Sequence, residues 1–240
     1  GHRVKVAPGG DRAGAALADL DAPVAVASAI LAHGRWRLTF TGEGNHAGAT
    51  PMAGRRDPLV AASAAVLAAR DIAAGRDDPA GGVNARATVG RLVPVPGGAN
   101  VIASRVDAWL DVRGDTDAAA RELVTEIGTA VQLAAAGHGC RVEVTEESYL
   151  PEVAFDAGLR GRLGAVIAAA QAPGGAGGVP VLATGAGHDA GVLAAELPTA
   201  MLFVRNPTGV SHAPAESASD DDCRAGAEAL AAALAALAGA

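Results

Sequence analysis

RWRLTFTG, from Arg35 to Gly42, alternates apolar and polar residues, the period of a half-buried strand. Apolar residues then recur at helical spacing from Asp57 to Gly75, behind an Asp cap and a first-turn proline and ahead of a glycine stop. Two more alternating stretches, Ala85 to Val95 and Ser104 to Val112, are separated by the turn cluster PGGANVI and read as an antiparallel pair. Thr116 to Ala136 predicts a long amphipathic helix, and RVEVTEESYL, Arg141 to Leu150, a closing strand. The order over residues 35–150 is β-α-β-β-α-β, which predicts a four-stranded sheet with two helices on one face.

The pattern changes outside that segment. Helical stretches at Asp156 to Ala172, HDAGVLAAE and Asp220 to Ala238 alternate with VPVLATGAG and TAMLFVRN, strands that are apolar without alternation. Strands of that kind suggest a parallel sheet covered on both faces, and PVAVASAI, Pro23 to Ile30, is a candidate for the same layer. The chain therefore reads as an α/β domain over 1–34 and 151–240, interrupted by an α+β domain over 35–150.

Half of the 240 residues are apolar and only 2% are aromatic, so the core is built from small aliphatic side chains. The net charge of −7, with no basic cluster, argues against a nucleic-acid surface. The Ala-rich apolar runs are amphipathic, which argues against a membrane span, and two cysteines without a framework suit a reducing cytoplasm. Cys140 and Cys223 stand in no metal or disulfide spacing and read as two buried free thiols. The first 14 residues lack the apolar stretch of a signal peptide and read as the start of a fragment.

In open α/β sheets ligands bind beyond the carboxyl ends of strands. TGAGHDA places Gly187 and His188 there, RNPTGVSHAPAE places His212, and the two histidines would share one rim. His212 reads either as an exposed loop histidine or as a metal ligand or general acid; His188 reads as a capping or surface residue or as part of a site. Asn100, in a turn, and Arg113, at a strand end, could clamp a carboxylate, although a surface salt bridge is the ordinary role of such an arginine. His46, in GNHAGATPM, lies among small residues with little around it to bury it.

Taken together, GNHAGATPM followed by RRDP, ANVIASRVDAWLDVR, TGAGHDAG and MLFVRNPTGVSHAPAE resemble the zinc-dependent amidohydrolases. These comprise allantoate amidohydrolase, N-carbamoyl-L-amino-acid hydrolase and β-ureidopropionase, within the aminoacylase and carboxypeptidase-type metallopeptidase superfamily. The resemblance implies a metal-binding α/β domain with an inserted lid and dimerisation domain. It also implies a homodimer formed through the lid, and a small ureido or carboxylate substrate. His46, Asn100 and Arg113 would reach a partner subunit's site, with His46 stabilising the transition state and the other two holding the substrate carboxylate. Gly187 and His188 would line the pocket, and His212 would ligate one of two ions, zinc, manganese or cobalt.

The family's remaining ligands and its glutamate base have no counterpart here, and Gly10 stands where one ligand is expected. The chain is thus expected to be inactive alone, as the C-terminal part of such a hydrolase or as a non-catalytic dimerisation or ligand-binding remnant. An aminoacylase or metallopeptidase relative is the third reading.

Overall fold

The computed structural model of the chain describes residues 3–8, 12–78, 83–171 and 178–239. In chain order the elements are β1 (Arg3–Pro8), α1 (Arg12–Asp19), β2 (Val24–Ile30), β3 (Ala32–Thr41), β4 (Asn45–His46), α2 (Pro58–Arg76), β5 (Ala85–Val95), β6 (Val101–Ile102) and β7 (Arg105–Gly114). They continue with α3 (Asp117–Gly137), β8 (Arg141–Leu150), β9 (Val153–Ala154), α4 (Ala157–Gln171), β10 (Val181–Thr184), α5 (Asp189–Ala194), β11 (Thr199–Val204) and α6 (Asp220–Ala238). The chain divides into two compact units, Gly1–Leu31 with Val153–Ala240, and Ala32–Glu152.

The inserted unit is an antiparallel sheet in the order β5-β7-β3-β8. Along β3 the buried positions include Trp36, Leu38 and Phe40, with Arg35, Arg37 and Thr41 exposed between them, so alternation selects the face that the helices cover. On that face α2 buries Ala61, Ala62, Ala65, Ala69 and Ala73, and α3 buries Leu123, Ile127 and Val131. The alanine methyls that dominate the buried stripe of α2 let it lie close to the sheet, while α3 supplies the bulk. Asp57 and Thr116 cap the two helices by accepting from the amides of Leu59 and Ala119 at 2.9 and 3.1 Å. By length and composition alone α2 is apolar enough to cross a membrane; its alanine stripe is committed to the sheet instead.

β3 begins at Ala32 rather than Arg35, because pairing with β7 runs on to Ala32 opposite Gly114. The unit boundaries accordingly fall at 31/32 and 152/153. The sequence pattern also gives no hint of the two-stranded ribbon of β4 and β6, whose strands are two residues each.

The sheet of the other unit runs β1-β11-β2-β10, with β9 also on β2. It is mixed, not parallel: β1 is parallel to β11 and β10 to β2, but β11 and β2 are antiparallel. The apolar, non-alternating run of β11 reports only that both faces are covered. Met201 and Phe203 pack with Leu17, Phe155 and Ala190 on one face, while Ala200 and Leu202 pack with Leu163, Ile167 and Ala233 on the other. Burial on two faces is indifferent to strand direction, which is why the direction could not be read from the sequence. Arg3–Pro8, within the segment read as a fragment's start, pairs along β11 from Arg3 opposite Thr199 to Pro8 opposite Val204. Cys140 is buried, with its thiol pushed up by burial and by the nearby Asp57 carboxylate, whereas Cys223 is exposed, contrary to expectation.

Candidate functional site

After β3 the chain turns through Gly42 and Gly44, and the packing excludes a side chain at Gly42 and crowds one at Gly44. A Cβ on Gly42 would run into the Arg56 carbonyl, and one on Gly44 would stand 3.0 Å from the Ser104 side chain. This close approach lets the Gly42 amide donate to Ser104 at 3.0 Å and the Glu43 amide donate to Arg56 at 2.8 Å. The ribbon then sets His46 opposite Val101 and Asn45 opposite Ile102, and the Ala47 amide donates to the Asn100 carbonyl at 2.9 Å. Two motifs more than fifty residues apart in sequence thus form one corner, with His46 and Asn100 both exposed.

The imidazole of His46 is held by its own turn. The amides of Gly48 and Ala49 both donate to Nδ1, each at 3.2 Å, and the Thr50 amide and hydroxyl donate to the His46 carbonyl at 3.1 and 2.8 Å. A nitrogen that accepts two N–H groups carries no proton, so the neutral ring is protonated at Nε2. No described residue hydrogen-bonds Nε2 or the Asn100 carboxamide. The corner therefore offers a donor nitrogen beside an amide that can donate and accept.

Arg113 lies elsewhere. β7 starts beside this corner at Arg105, and eight residues at about 3.3 Å each carry Arg113 about 26 Å along the sheet. There it sits between His33 and Arg86 on the neighbouring strands and donates from Nε to Asp111 at 2.8 Å. Asp111 also lies 3.7 Å from Arg35, so one carboxylate answers two guanidinium groups in a basic row. The expected clamp of Asn100 with Arg113 is therefore not formed within one inserted unit. Thirteen residues look close in sequence when part of them is a turn, but an extended strand separates them.

In the other unit, Thr184 at the end of β10 lies beside Ile30, and Val204 at the end of β11 lies beside Val24, at the opposite end of β2. The loops bearing Gly187 with His188 and bearing His212 leave the sheet from opposite ends, so the single rim expected for the two histidines is overturned by strand direction. His188 takes the N-cap position of α5 without a side-chain capping bond.

The loop after β11 is internally braced. Asn206, fully buried, donates to the Val210 carbonyl at 2.9 Å and accepts from the Thr208 amide and hydroxyl at 3.2 and 2.7 Å. His212 adopts φ 58°, a left-handed conformation that a non-glycine residue takes only when its surroundings impose it, and its amide donates to Glu216 Oε2 at 3.0 Å. At the base of the loop Arg205 donates to Asp222 at 2.9 Å and to Asp21 at 3.1 Å, and Ser219 donates to Asp222 at 2.6 Å. Burial alone would raise the Asp222 carboxyl, but these hydrogen bonds and the charge of Arg205 outweigh it and hold the group below its ordinary value.

Among the described residues no three His, Cys, Asp or Glu side chains are placed to hold a metal ion. Glu216 accepts from the His212 amide, and His212 is the one residue of this loop that the resemblance assigns to a metal. Gly10, where a further ligand was expected, lies outside the described residues. Three features escaped sequence reasoning: the β4–β6 ribbon, the brace at Asn206, and Arg55. Asn206 gave a signal only as an asparagine two residues ahead of a threonine in a proline turn. Arg55 gave one only as the first arginine of RRDP.

Comparison with known proteins agrees with this architecture. The model of Peptidase family M20/M25/M40 matches residues 11–236. The N-carbamoyl-L-amino acid amidohydrolase of Geobacillus stearothermophilus is 35% identical over 219 residues, which cover 90% of this chain and 50% of that protein. The allantoate amidohydrolase of Escherichia coli (strain K12) is 28% identical over 208 residues, 87% of this chain and 48% of that protein. Among solved structures, an amidase of the hydantoinase/carbamoylase family from Burkholderia vietnamiensis superposes with a TM-score of 0.85 at 29% identity, over 97% of this chain and 53% of that one. The chain spans about half the length of the relatives it matches. With the inserted sheet, the mixed sheet and the sequence motifs in agreement, the chain is a member of Peptidase family M20/M25/M40.

Proposed function

We propose that the chain is the substrate-recognising part of a metal-dependent hydrolase of linear C–N bonds, acting on allantoate or an N-carbamoyl-L-amino acid. The observation that carries this reading is the corner of His46 and Asn100, in a family member whose relatives are named for those two reactions. Hydrolysis of a ureido group builds negative charge on the carbonyl oxygen, and a neutral Nε2–H aimed at that oxygen stabilises the charge without giving up its proton. The carboxylate of such a substrate suits Arg113, whose fork can take it bidentately in the basic row with Arg86.

Because His46 lies in the ribbon beside the start of β7 and Arg113 near the end of that strand, a substrate meeting both would take them from two protomers, in a homodimer formed through the inserted unit. The exposed apolar residues Leu59, Val60 and Leu67 on α2 support that assembly. His212 is the one residue here proposed to reach a metal. The family's metal supplies an activated water, and no step of that kind is assigned to the residues present.

Titration calorimetry and an ammonia assay on the purified chain test the proposal. A ureido acid is expected to bind and a dipeptide of equal length not to bind. Arg113→Ala should weaken binding by about tenfold, the loss of one charge-assisted pair, and no ammonia should be released. Zinc-dependent ammonia release would overturn the expected inactivity. Absence of ureido-acid binding would favour a second reading, a non-catalytic dimerisation module.

A further inference from the structure

Arg55 does no work visible in the sequence, yet its guanidinium is the most connected polar group near His46. Nη2 donates to the carbonyls of Ala47 at 2.7 Å and Thr50 at 2.6 Å, and Nε donates to the carbonyl of Pro51 at 3.2 Å. No carboxylate among the described residues pairs with it. A half-buried cation aimed wholly at backbone carbonyls is unusual, because an arginine gains more from an acidic partner and is left to water otherwise. Here its planar fork ties together both ends of the segment whose middle, Gly48 and Ala49, faces the imidazole. Gly48 lies close enough that a Cβ would stand 3.4 Å from His46 Cε1, so the turn is packed against the ring as well as hydrogen-bonded to it.

We propose that Arg55 is a positioning residue for His46: by bridging the Ala47, Thr50 and Pro51 carbonyls it keeps the Gly48 and Ala49 amides on Nδ1 and so fixes Nε2 as the protonated, outward-facing donor. The chain of dependence is arginine to carbonyls, carbonyls to turn, turn to tautomer. Without the bridge the 47–51 segment loses three restraints, the two amides separate from Nδ1, and the ring is free to exchange tautomers and rotamers. Lysine cannot substitute, since an ammonium is a point donor that reaches one or two of the carbonyls but does not span all three in a plane. The consequence for catalysis rests on the reading of His46 as an oxyanion donor; the positioning itself does not.

Long-range ¹H–¹⁵N correlation of the histidine rings and amide hydrogen exchange, above the pH at which the imidazole is charged, test this on the 240-residue chain. His46→Ala identifies the ring signals. In the unaltered chain Nδ1 is expected to be wholly unprotonated and Nε2 wholly protonated, with the Gly48 and Ala49 amides protected. In Arg55→Ala the two nitrogen shifts should converge toward tautomer-averaged values, and exchange at both amides should accelerate by about tenfold, while thermal unfolding stays unchanged. Arg55→Lys should fall between the two, and it decides the matter if Arg55→Ala fails to fold. A proton on Nδ1 in the unaltered chain, or ring shifts and amide exchange indifferent to both substitutions, would overturn the proposal. Because neither readout involves turnover, failure of the chain to bind or hydrolyse a ureido acid leaves this result untouched, and failure here leaves the hydrolase reading standing.

Discussion

Asp222 opens α6 as one of three consecutive aspartates, and only its side-chain partners single it out. Arg205 and Ser219 hold its carboxyl below the ordinary value of 3.8. A depressed carboxyl contributes stability that is present above its unfolded value and is lost as pH falls through the folded one. Asp222→Asn is therefore expected to destabilise the chain by about 1–3 kcal/mol near neutrality, the cost of facing a partly buried arginine with a neutral amide in place of its carboxylate. The gap between variant and parent, followed by chemical denaturation, should close as pH drops below about 4. A gap that did not narrow as the pH fell would assign the loss to packing rather than charge. His46 and Asn100 were visible in sequence as candidate residues, and the structure joins them. Their hydrogen-bonding environment was not visible, because it consists of backbone amides that any residue supplies.

Elements were legible where one face is solvated. The strands from Arg35, Ala85 and Arg141 and the helices capped by Asp57 and Thr116 lie where alternation and capping put them, within a few residues. What alternation does not carry is how closely two elements approach. Gly114, at the end of β7, has space for no side chain: a Cβ would stand 2.7 Å from the Ala120 amide nitrogen and 3.0 Å from its Cα. Gly114→Ala should push the first turns of α3 off the sheet and cost about 1–3 kcal/mol, measured as a fall in the denaturation midpoint. Ala65→Leu, at a position 1% exposed, should cost a similar amount by overpacking. Ala74→Leu, on the exposed side of the same helix, should change stability by less than about 0.5 kcal/mol. If all three variants melted alike, the close seating of α2 and α3 would be wrong. In the other unit, strands buried on both faces hid their direction, and the misplaced rim for His188 and His212 follows from that single ambiguity.

At the scale of the whole molecule the proposed homodimer gives the exposed face of α2 a purpose. Leu67, 54% exposed, contributes little to the fold of one protomer. Leu67→Glu is expected to leave thermal unfolding of the monomer unaltered and to shift the self-association constant by at least about tenfold, read by sedimentation equilibrium. A parent chain that is monomeric at high concentration would remove that role from α2. The sequence by itself determined the family, the inserted four-stranded unit with its two helices, and the residue types offered for substrate recognition, because motifs and period-2 or period-3.6 patterns are local properties of the chain. Only the tertiary structure decided that the α/β sheet is mixed, that His46 meets Asn100 while Arg113 lies a strand's length away, and which nitrogen of His46 carries the proton. Those depend on strand direction, on register and on backbone hydrogen bonds between residues distant in sequence, none of which changes the local hydrophobic pattern.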